Sequence, residues 1–245
     1  MPAKPSALPV PDLSVRSLEP EWMDNDGVDF ATFESVLAGL ATVNSWTLAR
    51  PPTLAWLNRA TRDWQPGREF TLIDVGSGQG DMLRAIHRWA IRRGLVPKLT
   101  GIDLSPWSAP AATAATPAGM DIRFLTGDVF AYAPPEPPDF IISSLVAHHM
   151  TDPMLVDFLR WMQTTATRGW LVNDLHRHSL AYWGFGLLAQ VMRWHPYIRH
   201  DGMLSVARSF RRADWDRLID KAGLNRSDTT VEWKLPFRLC VGQIR

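Results

Sequence analysis

An open α/β sheet, doubly wound, mostly parallel and finished by an antiparallel C-terminal hairpin, is the fold class this sequence predicts. Three observations predict it. Between Phe70 and Asp174, short apolar runs alternate with helical periodicity, the pattern of parallel strands joined by crossover helices. The first run, FTLIDV, ends in Asp74 and opens on glycines at three alternate positions, Gly76, Gly78 and Gly80, directly ahead of a helical pattern. The last two runs, TTVEWKL and FRLCVGQI, are joined by a tight turn at Pro236 and read as a hairpin.

Taken in order, the proline-rich start MPAKPSALPVPDL lacks the apolar core of a signal peptide, so residues 1–20 read as a flexible tail. From Asp29 to Trp64 the pattern is helical, with Phe30, Phe33, Val36, Leu37, Leu40 and Val43 at three- and four-residue spacing. A second helix starts near Pro51-Pro52 and carries Leu54, Trp56 and Leu57 before Pro66-Gly67 breaks the chain. Residues 21–66 therefore read as a helical cap, and 67–245 as the sheet domain. After FTLIDV, Gly80 to Arg93 is helical, with Met82, Leu83, Ile86, Trp89 and Ala90 apolar. KLTGIDLS is the second strand; PWSAPAATAATPAG has too many prolines for a long helix; DIRFLTGDV and DFIISSLV are the third and fourth strands. Pro153 to Thr165 is a helix and GWLVNDLH the fifth strand. An insertion over about 178–210 is rich in Trp, Tyr, Leu and Met, and a helix from Ala213 to Ala222 stops at Gly223.

Composition narrows the functions. With 46% hydrophobic and 21% charged residues the chain is globular, and its 245 residues suit one domain with a cap. A formal net charge of +1 gives no footprint for a nucleic-acid partner. A single cysteine, Cys240, cannot form an internal disulfide and suits a reducing cytoplasm. The apolar window Leu180 to Trp194 is shorter than the roughly 20 residues a membrane span needs, so no stable insertion is expected. The expected partner is a small molecule, with monomer and homodimer both open.

In an open α/β sheet, ligands sit at the carboxyl ends of the strands. The glycine loop is the first such end. A dinucleotide fingerprint starting at Gly76 needs its third glycine at position 81, where Asp81 stands instead, and no phosphate-binding G-x-x-x-x-G-K-[ST] run is present. A nucleoside carrying a cationic group fits better. Asp74 suits its charge, Asp103 suits ribose hydroxyls, and Asp128 suits an adenine amino group, because carboxylates only accept. A glycine turn with three solvated aspartates is the plain alternative.

This arrangement resembles the class I S-adenosylmethionine-dependent methyltransferases, whose Rossmann-like sheet carries an acid followed by G-x-G-x-G. The resemblance covers roughly Phe70 to Arg245. It implies S-adenosylmethionine as cofactor and S-adenosylhomocysteine as product. It also implies a cofactor site of Asp74, Gly76, Ser77, Gly78, Gly80, Asp103, Leu104, Asp128, Val129 and Ser143.

The fourth strand leads into SSLVAHHM, which in this family lies beside the transferable methyl. The [ND]-P-P-[YF] of adenine and amide methyltransferases is absent, which argues against those acceptors. His148 and His149 are the candidate bases, since a phenol with pKa near 10 must lose its proton and imidazole titrates near neutrality. Either histidine can equally serve as loop cap or pocket wall. No metal is expected: Asn173-Asp174 reverses the acid-asparagine order of metal-dependent catechol methyltransferases, Ser143-Ser144 supplies no acid, and His176 and His178 alone are too few for zinc. The 178–210 insertion, with Trp183, is expected to roof an apolar substrate, with His176, His178, Arg199, His200, Asp201, Ser205 and Arg208 meeting its polar groups. Packing against the N-terminal helices is the competing use of this insertion.

The stretches VNSWTLARPPTLAWL, VNDLHRHSLAYWGF and RHDGMLSVARSF, taken with SSLVAHHM, are similar to bacterial methyltransferases found with type III polyketide synthases. That finer resemblance implies O-methylation of a phenolic or polyketide-derived product and sets Arg50 at the mouth of the cofactor pocket. Two alternatives stay open: C-methylation of a quinone or polyketide precursor, and a non-catalytic cofactor-binding scaffold.

Overall fold

The computed structural model describes residues 12–22, 39 and 42–245. The helical stretch expected from Asp29 therefore lies largely outside the described residues, although 42–46 are helical. Helix α1, Arg50–Ala60, starts on Pro51 and Pro52, and buries Trp56 and Leu57. The alternation that follows is β1 (Glu69–Val75), α2 (Asp81–Arg92), β2 (Val96–Asp103), α3 (Ser108–Ala114), β3 (Ile122–Thr126) and β4 (Phe140–Ser144). Then come α4 (Asp152–Thr165), β5 (Gly169–Leu175), α5 (Ser179–Val191), α6 (Pro196–Arg208), α7 (Arg212–Ala222), β6 (Thr230–Lys234) and β7 (Arg238–Ile244).

The seven strands run in the order β3-β2-β1-β4-β5-β7-β6. The first five are parallel, while β7 lies antiparallel between β5 and β6. Side chains alternate across β1. Phe70 and Leu72 join Trp56, Leu57, Leu83 and Ile86 in one core, and Ile73 and Val75 join Phe158, Leu159, Trp215 and Leu218 in the other. Both faces of the sheet are thus covered by helices, which is why its strands read as continuous apolar runs. Helix α4 starts on Thr151, whose hydroxyl accepts from the Met154 amide, and α7 stops at Gly223 in the left-handed conformation.

Residues 12–20, expected as a loose tail, are docked. The Ser17 N–H donates to the Ala207 carbonyl at 3.1 Å, and Arg177 and Arg211 both donate to the Leu13 carbonyl. Arg16 pairs with Asp152 at 2.7 Å and lies over the Phe210 ring. Backbone carbonyls and guanidinium groups make these contacts, so no apolar run in the segment announces them. The strap they form leads directly to Glu21, which is buried.

Candidate active site

The chain runs outward through β1, β2 and β3, then returns to β4 on the other side of β1. Where strand order reverses, the loops at the strand ends part and leave a crevice. A cavity of about 660 Å³ opens there. At one end its wall includes Asp74, Gly76, Ser77, Gly78, Asp103 and Asp128, with Leu104 and Val129 beside them. The Gly78 N–H donates to Asp103 Oδ2 at 2.8 Å and the Ser105 N–H to Asp103 Oδ1 at 2.9 Å, so Asp103 ties the glycine loop to the end of β2. Asp128 Oδ1 accepts from the Phe130 amide. Each carboxylate oxygen can accept more than one donor, so these acids keep acceptor capacity for a ligand.

The three loop glycines differ. All have positive φ, but a Cβ on Gly76 would strike Val146, and one on Gly80 would lie 2.6 Å from the Phe124 ring. Only at Gly78 is the Cβ direction open. The loop therefore needs glycine twice for its own packing and once for the space beside it. Asp74 is 2% exposed and its Oδ1 has no partner. Burial, with Asp81 and Asp103 adding to it, holds its carboxyl well above the usual range. A buried acid in a field of acids is stabilised by a cation. Leu104 and Phe130 are the exposed apolar members of this end, beside the buried Val75, Ile102 and Val129.

The other end is built around His148, which is 4% exposed. Its Nδ1 lies 2.8 Å from Asp174 Oδ1, and its backbone N–H donates to Asp174 Oδ2 at 3.0 Å. Asp174 is wholly buried at the end of β5. Burial pushes its carboxyl up, but the contacts with His148 and the Leu175 amide outweigh this and hold it below the usual range. A carboxylate accepts, so Nδ1 is the donor to Asp174 and Nε2 is the ring nitrogen turned toward Glu21. Nε2 lies 3.7 Å from Glu21 Oε1, and His149 Nε2 lies 3.8 Å from Glu21 Oε2. Glu21 accepts from the Ser205 hydroxyl at 2.7 Å. Burial pushes the Glu21 carboxyl up to about 7, against the pull of His149 and Ser205. Glu21, His148 and His149 all line the cavity, and their ligand atoms lie within 4.8 Å of one another, so together they offer two imidazoles and a carboxylate to a cation.

The remaining sequence-picked residues stand elsewhere. Ser143 donates to the Val75 carbonyl and straps β4 to β1. Gly80 ends the loop at the start of α2, and Arg50 pairs with the Ser45 hydroxyl. His178 caps α5 through Nδ1 and stacks on Phe237. His176, half-buried, has its Nδ1 without a partner, and burial pushes its imidazole down. Trp183 is 53% exposed, because α5 turns Tyr182, Gly186 and Ala189 inward instead. Arg199 is exposed; His200 stacks on Trp22 and bonds Asp201. Arg208 is buried behind the histidine pair and donates to the His148 and His149 carbonyls. None of these residues lines the cavity. Of the insertion's polar candidates, Asp201 and Ser205 do line the wall, together with Phe185, Ile198 and Val206.

Two wall residues, Glu21 and Arg238, and the Asp174 that clamps His148 from outside the wall carry no sequence signal. Glu21 sits far from any motif, and Asp174 is hidden by its place in an apolar strand. Arg238, at the start of β7, looks like a solvated hairpin residue but is 1% exposed. Its Nε and Nη2 donate to Thr47, while Nη1 has no partner. Burial pushes its guanidinium down to about 10 against the pull of Asp174. Five buried polar side-chain atoms have no partner among the described residues. Three of them, on Asp74, Ser144 and Arg238, belong to residues of this one cavity wall.

A family model described as a methyltransferase domain matches residues 47–227. No curated protein matches by sequence. Among solved structures, the plantazolicin methyltransferase BpumL in complex with SAH is similar, with TM-score 0.65 and 14% identity over 90% of this chain and 91% of that one. Human N-acetylserotonin methyltransferase in complex with SAM is similar at TM-score 0.60 and 15% identity, over 89% of this chain and 56% of that one. Magnesium protoporphyrin IX methyltransferase from Synechocystis PCC 6803, with bound SAH, gives TM-score 0.51 and 17% identity, over 91% of both chains. These likenesses share the fold.

Proposed function

This chain belongs to the methyltransferase-domain family, and from that premise we propose that it transfers a methyl group from S-adenosylmethionine to a hydroxyl of a small, largely apolar, phenolic or polyketide-derived acceptor. The observation that carries the cofactor is the buried Asp74 carboxyl with its unpartnered oxygen, raised by burial and by Asp81 and Asp103. A sulfonium amino acid answers that field, and a phosphate does not. In this reading Asp103 and Asp128 accept from the nucleoside, while Gly78 leaves room beside it. When bound, the cofactor supplies an electrophilic methyl group open to in-line displacement by the acceptor oxygen, with the C–S electron pair returning to sulfur.

The chain's own work is positioning, dryness and one proton. His148 Nε2 takes the hydroxyl proton as the acceptor oxygen becomes nucleophilic. Asp174 fixes the ring and stabilises the imidazolium that results, and Arg208 holds the His148 carbonyl from behind. With a phenolic acceptor, His148→Ala is expected to lower kcat by about 10²–10⁴-fold while S-adenosylhomocysteine affinity, measured by calorimetry, stays near wild type. Normal turnover in that variant sinks the base assignment, and absence of S-adenosylmethionine binding to the wild type sinks the cofactor.

A second reading rests on the Glu21, His148 and His149 cluster. A divalent cation held there would lower the pKa of a coordinated acceptor hydroxyl directly. Turnover lost to a chelator and restored by a divalent metal favours this reading; turnover indifferent to the chelator leaves the base.

A further inference from the structure

We propose that Arg238 and Ser144 form an oxygen-anchoring subsite in the acceptor end of the cavity, and that the acceptor carries a carboxylate which this subsite receives. The inference rests on the methyl-transfer reading for the word acceptor, and on the geometry alone for the subsite.

Strand register brings the two residues to one face of the sheet. Ser144 on β4 pairs with Asn173, two residues before Leu175 on β5, and Leu175 pairs with Arg238 on β7. Paired residues on neighbouring strands point the same way, and residues two apart along a strand share a face. Asn173 faces Ala49 and Thr53, so this is the face roofed by α1 and the turn before it. Arg238 reaches the same turn through Thr47. Both residues line the cavity, and each keeps a buried polar atom with no partner: Ser144 Oγ and Arg238 Nη1.

Support of Thr47 would account for Nε and Nη2 of Arg238, but not for Nη1. A buried N–H without an acceptor is costly, and a charged one more so. Asp174 attracts Arg238, but both its oxygens are already engaged by His148, and one also by Leu175. Among the described residues of the wall, Arg238 is the one Lys or Arg, set against Glu21, Asp74, Asp81, Asp103, Asp128 and Asp201. An anionic group in this cavity therefore has one place to go. Nη1–H and the Ser144 hydroxyl offer donors to it, and guanidinium–carboxylate is a strong charge-assisted pairing. With the carboxylate held on this face, the hydroxyl to be methylated faces His148, which is held by Asp174 on the opposite face.

The test compares hydroxybenzoates, their methyl esters and the matching phenols on wild type, Arg238→Gln and Arg238→Lys. Binding is measured by calorimetry with S-adenosylhomocysteine present, so no turnover is needed. The wild type is expected to bind at least one hydroxybenzoate about 30-fold or more tightly than its methyl ester. Arg238→Gln is expected to lose that preference while its affinity for S-adenosylhomocysteine and for the esters is kept, and Arg238→Lys to restore part of it. With turnover, the loss should fall on KM and spare kcat. Equal wild-type affinity for acid and ester overturns the proposal, as does a preference that survives Arg238→Gln. Should Arg238→Gln lose S-adenosylhomocysteine as well, the wild-type comparison of acid with ester decides alone. Acid-selective binding without methyl transfer to any compound would uphold the subsite and refute the methyl-transfer reading.

Discussion

Asp174 does not line the cavity and reaches it only through His148, which makes its effect separable. Asp174→Asn keeps the volume and can turn an amide N–H toward Nδ1, forcing the proton to Nε2 where the base is needed. The expected result is a kcat loss of about 10²-fold or more with S-adenosylhomocysteine affinity unchanged; unchanged kcat with a phenol would show that the tautomer does not matter here. Asp74 gives a second residue-scale prediction. Its carboxyl is held well above the usual range in the folded chain, first by burial. A bound cation favours the ionised form, so cofactor binding should release a proton and tighten as pH rises toward the Asp74 pKa of the free protein. Calorimetry in two buffers of different ionisation enthalpy reads the proton directly. Asp74→Asn should abolish the release, and an unaltered release in that variant would place the proton elsewhere.

The glycine loop separates packing from ligand contact at the scale of one element. Gly76→Ala puts a Cβ against Val146 at φ +71, whereas Gly78→Ala meets nothing within 4 Å at φ +49. Both carry the left-handed penalty of roughly 1–2 kcal/mol, and only the first adds a clash. Gly76→Ala should therefore lower Tm more, while Gly78→Ala should weaken S-adenosylhomocysteine by about tenfold or more because its methyl enters the cavity. Cofactor affinity unaffected by Gly78→Ala would remove the loop from the cofactor site. Helix α5 shows the limit of pattern reading at this scale. Its aromatic and aliphatic side chains suggested a roof, yet Leu180, Trp183, Leu187 and Val191 are all exposed, and Phe185 supplies its contact with the cavity. An apolar helix announces that some face is buried, not which one, when the moment is shallow and nonpolar residues surround the axis.

Glu21 couples the N-terminal strap to the stability of the whole molecule. Its folded pKa of about 7 lies above the unfolded value near 4.5, with burial as the leading cause. A raised acid binds its proton more tightly when folded, so its contribution is complete below pH ~4.5. That contribution fades as pH rises through about 7, by a few kcal/mol at most. Glu21→Gln should flatten the fall in Tm between pH 5 and 8, and an equally steep fall in the variant would refute the assignment.

The strands along the chain, the helices between Arg50 and Thr165, the last helix, the hairpin and the glycine loop were legible because each is a local pattern: period two or apolar runs for strands, glycine and proline for turns. The acids at the ends of β1, β2 and β3 were legible too, since a strand end is a fixed address in this topology. The strap's docking, Glu21 beside His148, the Asp174 clamp, the burial of Arg238 and the outward turn of Trp183 were not. Each depends on which segments, distant in sequence, meet in space: Glu21 is 184 residues from Ser205, and Arg238 is 191 from Thr47. The sequence by itself determined the sheet and the family-bearing loop, because backbone preference and burial act over a few neighbours. Only the tertiary structure decided which polar groups share the cavity, because charge, desolvation and unmade hydrogen bonds are properties of what surrounds a side chain.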